Sequence, residues 1–239
     1  MVKLTLIQGD CLKILPKIPD ESVDFILTDF PYPNFDLFSN EKTDEFYKKI
    51  FDELRRVLKN NSFFATFWSI EDMQTLFKYT AKDFKFVWMI INYIKNAERN
   101  HIRIGFNHFN VIFLFEKGKA TRKRQIRDVI EDTISSIKRN SILHPTPKFL
   151  KVCKKVIEMA TNEGDIVLDP FLGSGTTMKA CLELKRNCIG IEINPEFCEI
   201  VKKRLNWGYN LGNVEFEFYT EKDFDVVRND RNRGNKEIV

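Results

Sequence analysis

The sequence predicts an α/β fold, and three observations carry that expectation. Short apolar runs rich in β-branched and aromatic residues alternate with stretches whose apolar residues recur every three or four positions, as strands and helices do when they exchange along a chain. The run Asp165 to Asp169 ends in an acid and passes through Gly173-Ser174-Gly175 directly into a helix-like segment, so strand, tight turn and helix N-terminus follow one another. The next run, Cys188 to Ile193, carries an acid, Glu192, near its end. With 239 residues, 43% of them hydrophobic, the chain can bury one large core or two modest ones, and one domain with embellishments is expected.

Taken in order, Lys3 to Gln8 alternates and carries β-branched residues, which predicts a short strand closed by Gly9-Asp10 and a helical turn through Leu15. Pro16 and Pro19 stop that turn. Val23 to Thr28 reads as a second, largely buried strand running out at Asp29-Phe30-Pro31-Tyr32. From Asp44 to Leu58 the residues Phe46, Ile50, Phe51, Leu54, Val57 and Leu58 recur at helical spacing, with Thr43 as N-cap. Ser62 to Trp68 is a strand, and Ser69 with Asp72 resembles a capping box that opens a helix to about Ala81. Phe84 to Lys95 and Asn110 to Phe115 are aromatic-rich strands separated by the polar loop Asn96 to Asn107. Glu116 to Ser141 is charged and weakly periodic and reads as an excursion from the sheet.

Thr146-Pro147 offers an N-cap and a first-turn proline for a helix whose apolar face is Phe149, Val152, Cys153, Val156, Ile157 and Ala160. The glycine-rich turn then leads into a helix to Lys185, a strand from Cys188 to Ile193, and a helix from Asn194-Pro195 to near Leu205. Beyond Asn206 only Val214 to Tyr219 is strand-like, and the polar end is expected to be disordered.

Bulk chemistry narrows the class. No apolar run reaches 18 residues, and neither a signal peptide nor a lipidation box is recognisable, so a cytoplasmic protein without a membrane partner is expected. Five cysteines, none in a C-x-x-C pair, support neither a zinc knuckle nor a disulfide framework. His101 and His108 lack partners at ligand spacing, and no metal is expected. The net charge of +4 is modest, but Lys117, Lys119, Arg122, Lys123, Arg124 and Arg127 crowd into eleven residues. That density suits phosphate contacts, with a solvated loop as the plain alternative.

Two constellations carry chemistry. Gly173-Ser174-Gly175 at a helix start suits a carboxylate or phosphate, and Glu192 on the next strand suits the hydroxyls of a ribose. Taken alone the turn is shared by nicotinamide-dependent oxidoreductases, although the third glycine of their fingerprint is absent and Met178 stands in its place. The second constellation is Asp29-Phe30-Pro31-Tyr32. An exocyclic amine on a nucleobase is a poor nucleophile because its lone pair is delocalised into the ring, and acceptors on both N–H groups help to localise it. The Asp29 carboxylate and the Phe30 carbonyl can supply those acceptors, Pro31 biases Phe30 to an extended conformation, and Tyr32 can stack on a flipped base.

The order Asp29-Phe30-Pro31-Tyr32, then His144-Pro145-Thr146-Pro147-Lys148, then Asp169-Pro170-Phe171-Leu172-Gly173-Ser174-Gly175-Thr176-Thr177 resembles the S-adenosylmethionine-dependent DNA amino-methyltransferases, which act on adenine N6 or cytosine N4. Catalytic motif before cofactor motif is the order of their circularly permuted β group. Further matches are Gly9-Asp10-Cys11-Leu12, Phe106-Asn107-His108 before Val111-Ile112-Phe113, and Gly190-Ile191-Glu192-Ile193-Asn194-Pro195. The absence of any Pro-Cys pair sets aside C5-cytosine methylation.

The resemblance implies a Rossmann-like methyltransferase sheet, mostly parallel with one antiparallel strand, with helices on both faces and a permuted motif order. It divides the chain into a catalytic half (1–115), a short target-recognition insert (116–143), a cofactor-binding half (144–205) and a partly disordered C-terminal extension (206–239). S-adenosyl-L-methionine is the implied cofactor and double-stranded DNA the implied partner, with a homodimer as a candidate assembly. Phe171, Gly173, Ser174, Gly175 and Thr176 would surround the methionine end of the cofactor, Asp169 would lie near its ammonium, and Glu192 would take the ribose. Asp10, with Cys11 beside it, matches the acid near the adenine ring, while His144, Thr146 and Lys148 match the motif whose helix closes over the methionine moiety. Asp29, Phe30, Pro31 and Tyr32 would hold the target base, and Arg122, Lys123, Arg124 and Arg127 would meet DNA phosphates.

Two departures stand out. The family usually has Asp-Pro-Pro-Tyr or Ser-Pro-Pro-Tyr, and here Phe30 replaces the first proline, so the loop loses a fixed φ and base placement is expected to be looser or shaped by the Phe30 ring. The insert before His144 is very short. The rival readings are an oxidoreductase, which leaves Asp29 to Tyr32 without a role, and a DNA-binding protein that has lost catalysis through Phe30.

Overall fold

The computed structural model describes residues 1–31, 40–95, 99–101, 105–133, 149–207 and 212–224. Eleven strands are present among them: β1 (Val2–Gln8), β2 (Val23–Asp29), β3 (Leu58–Phe67), β4 (Lys85–Lys95), β5 (Arg99–His101), β6 (Gly105–Asn107), β7 (Phe109–Lys117), β8 (Val129–Thr133), β9 (Ile166–Asp169), β10 (Asn187–Glu192) and β11 (Val214–Thr220). The α-helices α1 (Cys11–Ile14), α2 (Asn40–Val57), α3 (Met73–Thr80), α4 (Leu150–Ala160), α5 (Thr176–Leu184) and α6 (Pro195–Arg204) accompany them, and residues 221–224 are helical as well.

Nine strands form one sheet in the order β11-β1-β10-β9-β2-β3-β7-β4-β8. Within it β7 alone runs against its neighbours β3 and β4, and the other pairings are parallel, as the resemblance implied. Apolar residues on opposite faces of each strand feed two separate cores. On one face Leu4, Leu6, Phe25 and Val167 pack under α4, α5 and α6; on the other Ile7, Ile26, Phe64 and Leu168 pack under α1, α2 and α3. Strands covered on both faces read as near-continuous apolar runs, which is why β2 and β9 were legible as strands but not by alternation.

Several expectations need correction. Helix α2 starts at Asn40, so Thr43 lies inside it and does not cap it, and Leu58 opens β3 instead of closing the helix. Helix α4 starts at Leu150 with Phe149 at its N-cap, without a side-chain cap bond, in place of the Thr146-Pro147 start. The loop from Asn96 to Asn107 holds the antiparallel pair β5 and β6. The charged excursion returns to the sheet: β8 pairs in parallel with β4 and becomes an edge strand. The C-terminal extension likewise supplies β11, paired with β1 from Val2↔Val214 to Gln8↔Thr220, and Phe224 just beyond is buried in the second core. Neither segment is a separate appendage, because each satisfies the backbone groups of what would otherwise be a bare sheet edge.

Candidate active site

Parallel strands bring their carboxyl ends to one edge, and the acids singled out in the sequence gather there. Register places Gln8 beside Glu192, Gly190 beside Asp169, and Asp29 beside Phe67, so the ends of β1, β10, β9, β2 and β3 form one continuous rim. Helix N-termini follow at the same rim, with their positive dipole ends.

The glycine turn is built by backbone bonds. The Leu172 N–H donates to Ile191 O (2.9 Å), the Gly173 N–H to Glu192 Oε2 (2.7 Å) and the Gly175 N–H to Leu172 O (3.0 Å). Gly175, the N-cap of α5, has φ +80°, and a Cβ there would stand 2.9 Å from Val201 Cγ2 on α6. Only glycine serves both demands. From behind, the Arg204 guanidinium donates to Ser174 O (3.1 Å) and to the Thr176 hydroxyl (3.0 Å), tying α6 to the turn.

Glu192 is 8% exposed and accepts the Gly173 N–H on one oxygen and the Asn194 N–H on the other, at 2.7 and 2.8 Å. Burial pushes its carboxyl above the usual range, opposed by those N–H groups. A carboxylate oxygen can accept more than one hydrogen bond, so each retains capacity for a hydroxyl. Asp10 accepts the Leu12 N–H (3.0 Å) and caps α1, and Cys11 behind it is buried, its thiol pushed up to about 12 by burial and the Asp10 charge. All five cysteines are free and buried.

Asp169 ends β9 with its carboxylate turned into the fold. It is 4% exposed, and its Oδ1 accepts the Thr28 hydroxyl (2.8 Å) and the Phe171 N–H (3.2 Å). Burial pushes its carboxyl up to about 7, against the pull of bonds from Thr177, Thr28 and Phe171 and with a smaller push from Asp29. It therefore fastens β9 to β2, joining the two halves of the rim.

Asp29 ends β2, half-buried. The Phe30 ring does not shape an open base pocket; it is 1% exposed, stacks on Phe51 (5.1 Å between centroids, 29° between planes) and tilts against Phe171 at 5.2 Å. A large apolar ring at a strand end is drawn into the core, where its burial outweighs anything it could do at the surface. Through Phe171 it links the Asp29 segment to the glycine turn. Tyr32, His144, Thr146 and Lys148 lie outside the described residues.

The basic stretch divides. Lys117 is occupied within the fold, donating to Arg55 O and Leu58 O and pairing with Glu21. Arg122, Lys123, Arg124 and Arg127 are exposed, but β7 is antiparallel and delivers the start of the stretch to the opposite edge, where Lys117 stands beside Ser62 and the Lys123 N–H donates to Met159 O. Only Arg127, two residues before the Val129 that pairs with Ile91, has returned toward the rim. From Ser62 to Phe67, the partner of Asp29, is five residues of strand, roughly 16 Å. The pair β5 and β6, by contrast, follows the carboxyl end of β4 and stands at the rim. His108, between β6 and β7, sits 6.5 Å from the Tyr93 ring. Among the described residues no group of His, Cys, Asp and Glu could hold a metal ion, and no helix is long and apolar enough to cross a membrane.

Sequence reasoning missed Thr28, Tyr47, Arg204 and Glu221. Helical spacing from Ile50 and Phe51 could have found Tyr47; the other three are recognisable only once distant segments meet.

Residues 23–203 match the family model of the N6/N4 methyltransferases, described as DNA methylase. The chain belongs to that family. It is therefore an S-adenosylmethionine-dependent DNA methyltransferase, acting on an exocyclic amine. The methyltransferase is 31% identical over 243 residues to the DNA adenine methyltransferase YhdJ of Escherichia coli (strain K12), an alignment covering 84% of this chain and 82% of that one. A solved M1.HpyAVI–SAM complex is 29% identical with a TM-score of 0.67, over 85% of this chain and 99% of that one. The cytosine-N4-specific PvuII DNA methyltransferase, at 17% identity and a TM-score of 0.72 over 98% and 95% of the two chains, shares the fold. The rim fits the cofactor this family uses, since a buried carboxylate with capacity for two hydroxyls stands beside a glycine turn at a helix N-terminus.

Proposed function

We propose that this methyltransferase acts on adenine N6 in duplex DNA, and that it belongs to the permuted β group. The observation that carries the reading is the placement of Asp29 at the end of β2, next to the strand that feeds the glycine turn and fastened to it through Thr28 and Asp169. An acid at the first position of the base-holding motif favours adenine, where serine is the usual residue of cytosine-N4 enzymes, and the likeness to a relative named as a DNA adenine methyltransferase supports the same choice.

When bound, S-adenosylmethionine supplies an electrophilic methyl group on its sulfonium. Everything else falls to the chain. Glu192 takes the ribose hydroxyls, Asp10 faces the adenine end, and the Gly173 to Thr176 turn receives the methionine end, with His144, Thr146 and Lys148 closing over it. Asp29 accepts one N–H of the target amine and the Phe30 carbonyl accepts the other, which localises the nitrogen lone pair as the amine attacks. Tyr32 stacks on the flipped base, a contact of roughly 1–3 kcal/mol that offsets part of the cost of unstacking it. No covalent enzyme intermediate is needed, so the rate rests on positioning and exclusion of water.

Methylated-nucleoside analysis of DNA treated with the protein and radiolabelled cofactor is the test. N6-methyladenine is expected; N4-methylcytosine would move the reading to the alternative amine, and binding of DNA with no transfer would favour a protein that has lost catalysis. Asp29→Ala is expected to lower single-turnover transfer roughly a hundredfold or more while cofactor affinity by titration calorimetry stays near wild type. Near-normal turnover in that variant would remove Asp29 from its assigned role.

A further inference from the structure

We propose that Tyr47 is the positioning residue of the target-base motif, its phenolic hydroxyl holding the Pro31 carbonyl so that the Phe30 carbonyl faces the base. The proposal rests on the function assigned above. Phe30 lacks the ring constraint that the family's first proline would give at this position, so φ at residue 30 must be fixed by contacts outside the backbone. The structure supplies them from α2. The Tyr47 hydroxyl donates to Pro31 O at 2.6 Å. Its ring is 1% exposed and held on several sides, stacked on Tyr79 at 5.2 Å, edge-on to Trp68 at 5.5 Å and edge-on to Phe30 at 6.2 Å between centroids. A phenol held this way can place its oxygen in only one spot. Burial also pushes the hydroxyl well above its ordinary range, chiefly by desolvation, so it stays protonated and remains a donor.

The consequence follows from chain geometry. The Phe30 and Pro31 carbonyls are related through φ and ψ of Pro31, and the proline ring holds that φ at about −65°. Pinning the Pro31 carbonyl against α2 therefore fixes the direction of the Phe30 carbonyl, the acceptor assigned to the second N–H of the target amine. Phenylalanine at this position is thus compensated within the fold: ring burial and one hydroxyl bond stand in for a second proline.

Tyr47→Phe keeps the ring and removes the hydroxyl. The expected result is a tenfold or greater fall in single-turnover methyl transfer, cofactor and DNA dissociation constants within about twofold of wild type, and faster hydrogen exchange in peptides covering residues 28–34 of the free protein. Tyr79→Phe is the control, since its hydroxyl serves Asp44 in the same aromatic cluster and does not reach Pro31. Equal slowing in both variants would assign the effect to cluster packing and overturn the proposal, as would a Tyr47→Phe rate and exchange pattern indistinguishable from wild type. If the wild-type protein transfers no methyl group, the functional reading fails, and the exchange measurement still decides whether Tyr47 anchors the motif.

Discussion

At the scale of residues, the site depends on side chains whose direction a sequence does not specify. Asp169 follows a strand and precedes the glycine turn, a position that reads as facing a ligand, yet its carboxylate turns inward to Thr28 and the Phe171 N–H. Its folded pKa of about 7 stands above the ordinary value of 3.8. A raised carboxyl is bound to its proton more tightly in the folded chain, so its contribution to stability is fully present below about pH 4 and is lost as pH rises through about 7. Denaturant midpoints should therefore fall between pH 5 and pH 8, with a ceiling of about 4 kcal/mol over the whole titration, and Asp169→Asn should flatten that slope. An equal slope in the variant would mean that other groups carry the dependence. Phe30 teaches the same lesson in reverse. Its substitution for proline suggests a looser loop, and only its burial among Phe51, Phe64, Trp68 and Phe171 reveals how the loop is held.

At the scale of elements, strands buried on both faces and helices with a strong apolar stripe were readable, and the edges of the sheet were not. In β8, Val129-Ile130-Glu131-Asp132-Thr133 buries Asp132 along with Ile130, so an acid occupies an inward position and breaks the alternation that identifies a strand. β11 was recognisable as a strand, but nothing local says which edge it joins. Its pairing with β1 carries Glu221 to the end of that strand, where Oε2 accepts the Asp10 N–H (3.4 Å), the other oxygen meets Lys13 Nζ (3.1 Å), and a Cβ on Gly9 would stand 3.0 Å from the Glu221 Cβ. The C-terminal strand thus borders the turn assigned to the adenine end of the cofactor. Glu221→Ala should weaken cofactor binding roughly three- to tenfold, in line with loss of one ordinary hydrogen bond. Titration calorimetry decides it; an unchanged dissociation constant would restrict β11 to covering the sheet edge.

At the scale of the whole molecule, strand direction sorts function by edge. Four parallel strands deliver Asp10, Glu192, Asp169, the glycine turn and Asp29 to one rim, while β7, the one antiparallel strand of the nine-stranded sheet, carries Arg122, Lys123 and Arg124 to the other. A duplex presenting a flipped base to Asp29 reaches those three cations only by continuing down the β8 side of the protein. Neutralising all three is expected to change the slope of log affinity against log salt by less than one; a fall near three, at roughly 0.9 per phosphate contact, would show that the duplex runs that far. By itself the sequence determined the alternating α/β class, the two chemical motifs and their order, because each is written in local periodicity or in adjacent residues. Only the tertiary structure decided which edge each charge occupies, that Thr28 and Asp169 join the two halves, and that Tyr47 holds Pro31. Those are contacts between residues up to 141 positions apart in the chain, and they exist only after the sheet has set the register of its strands.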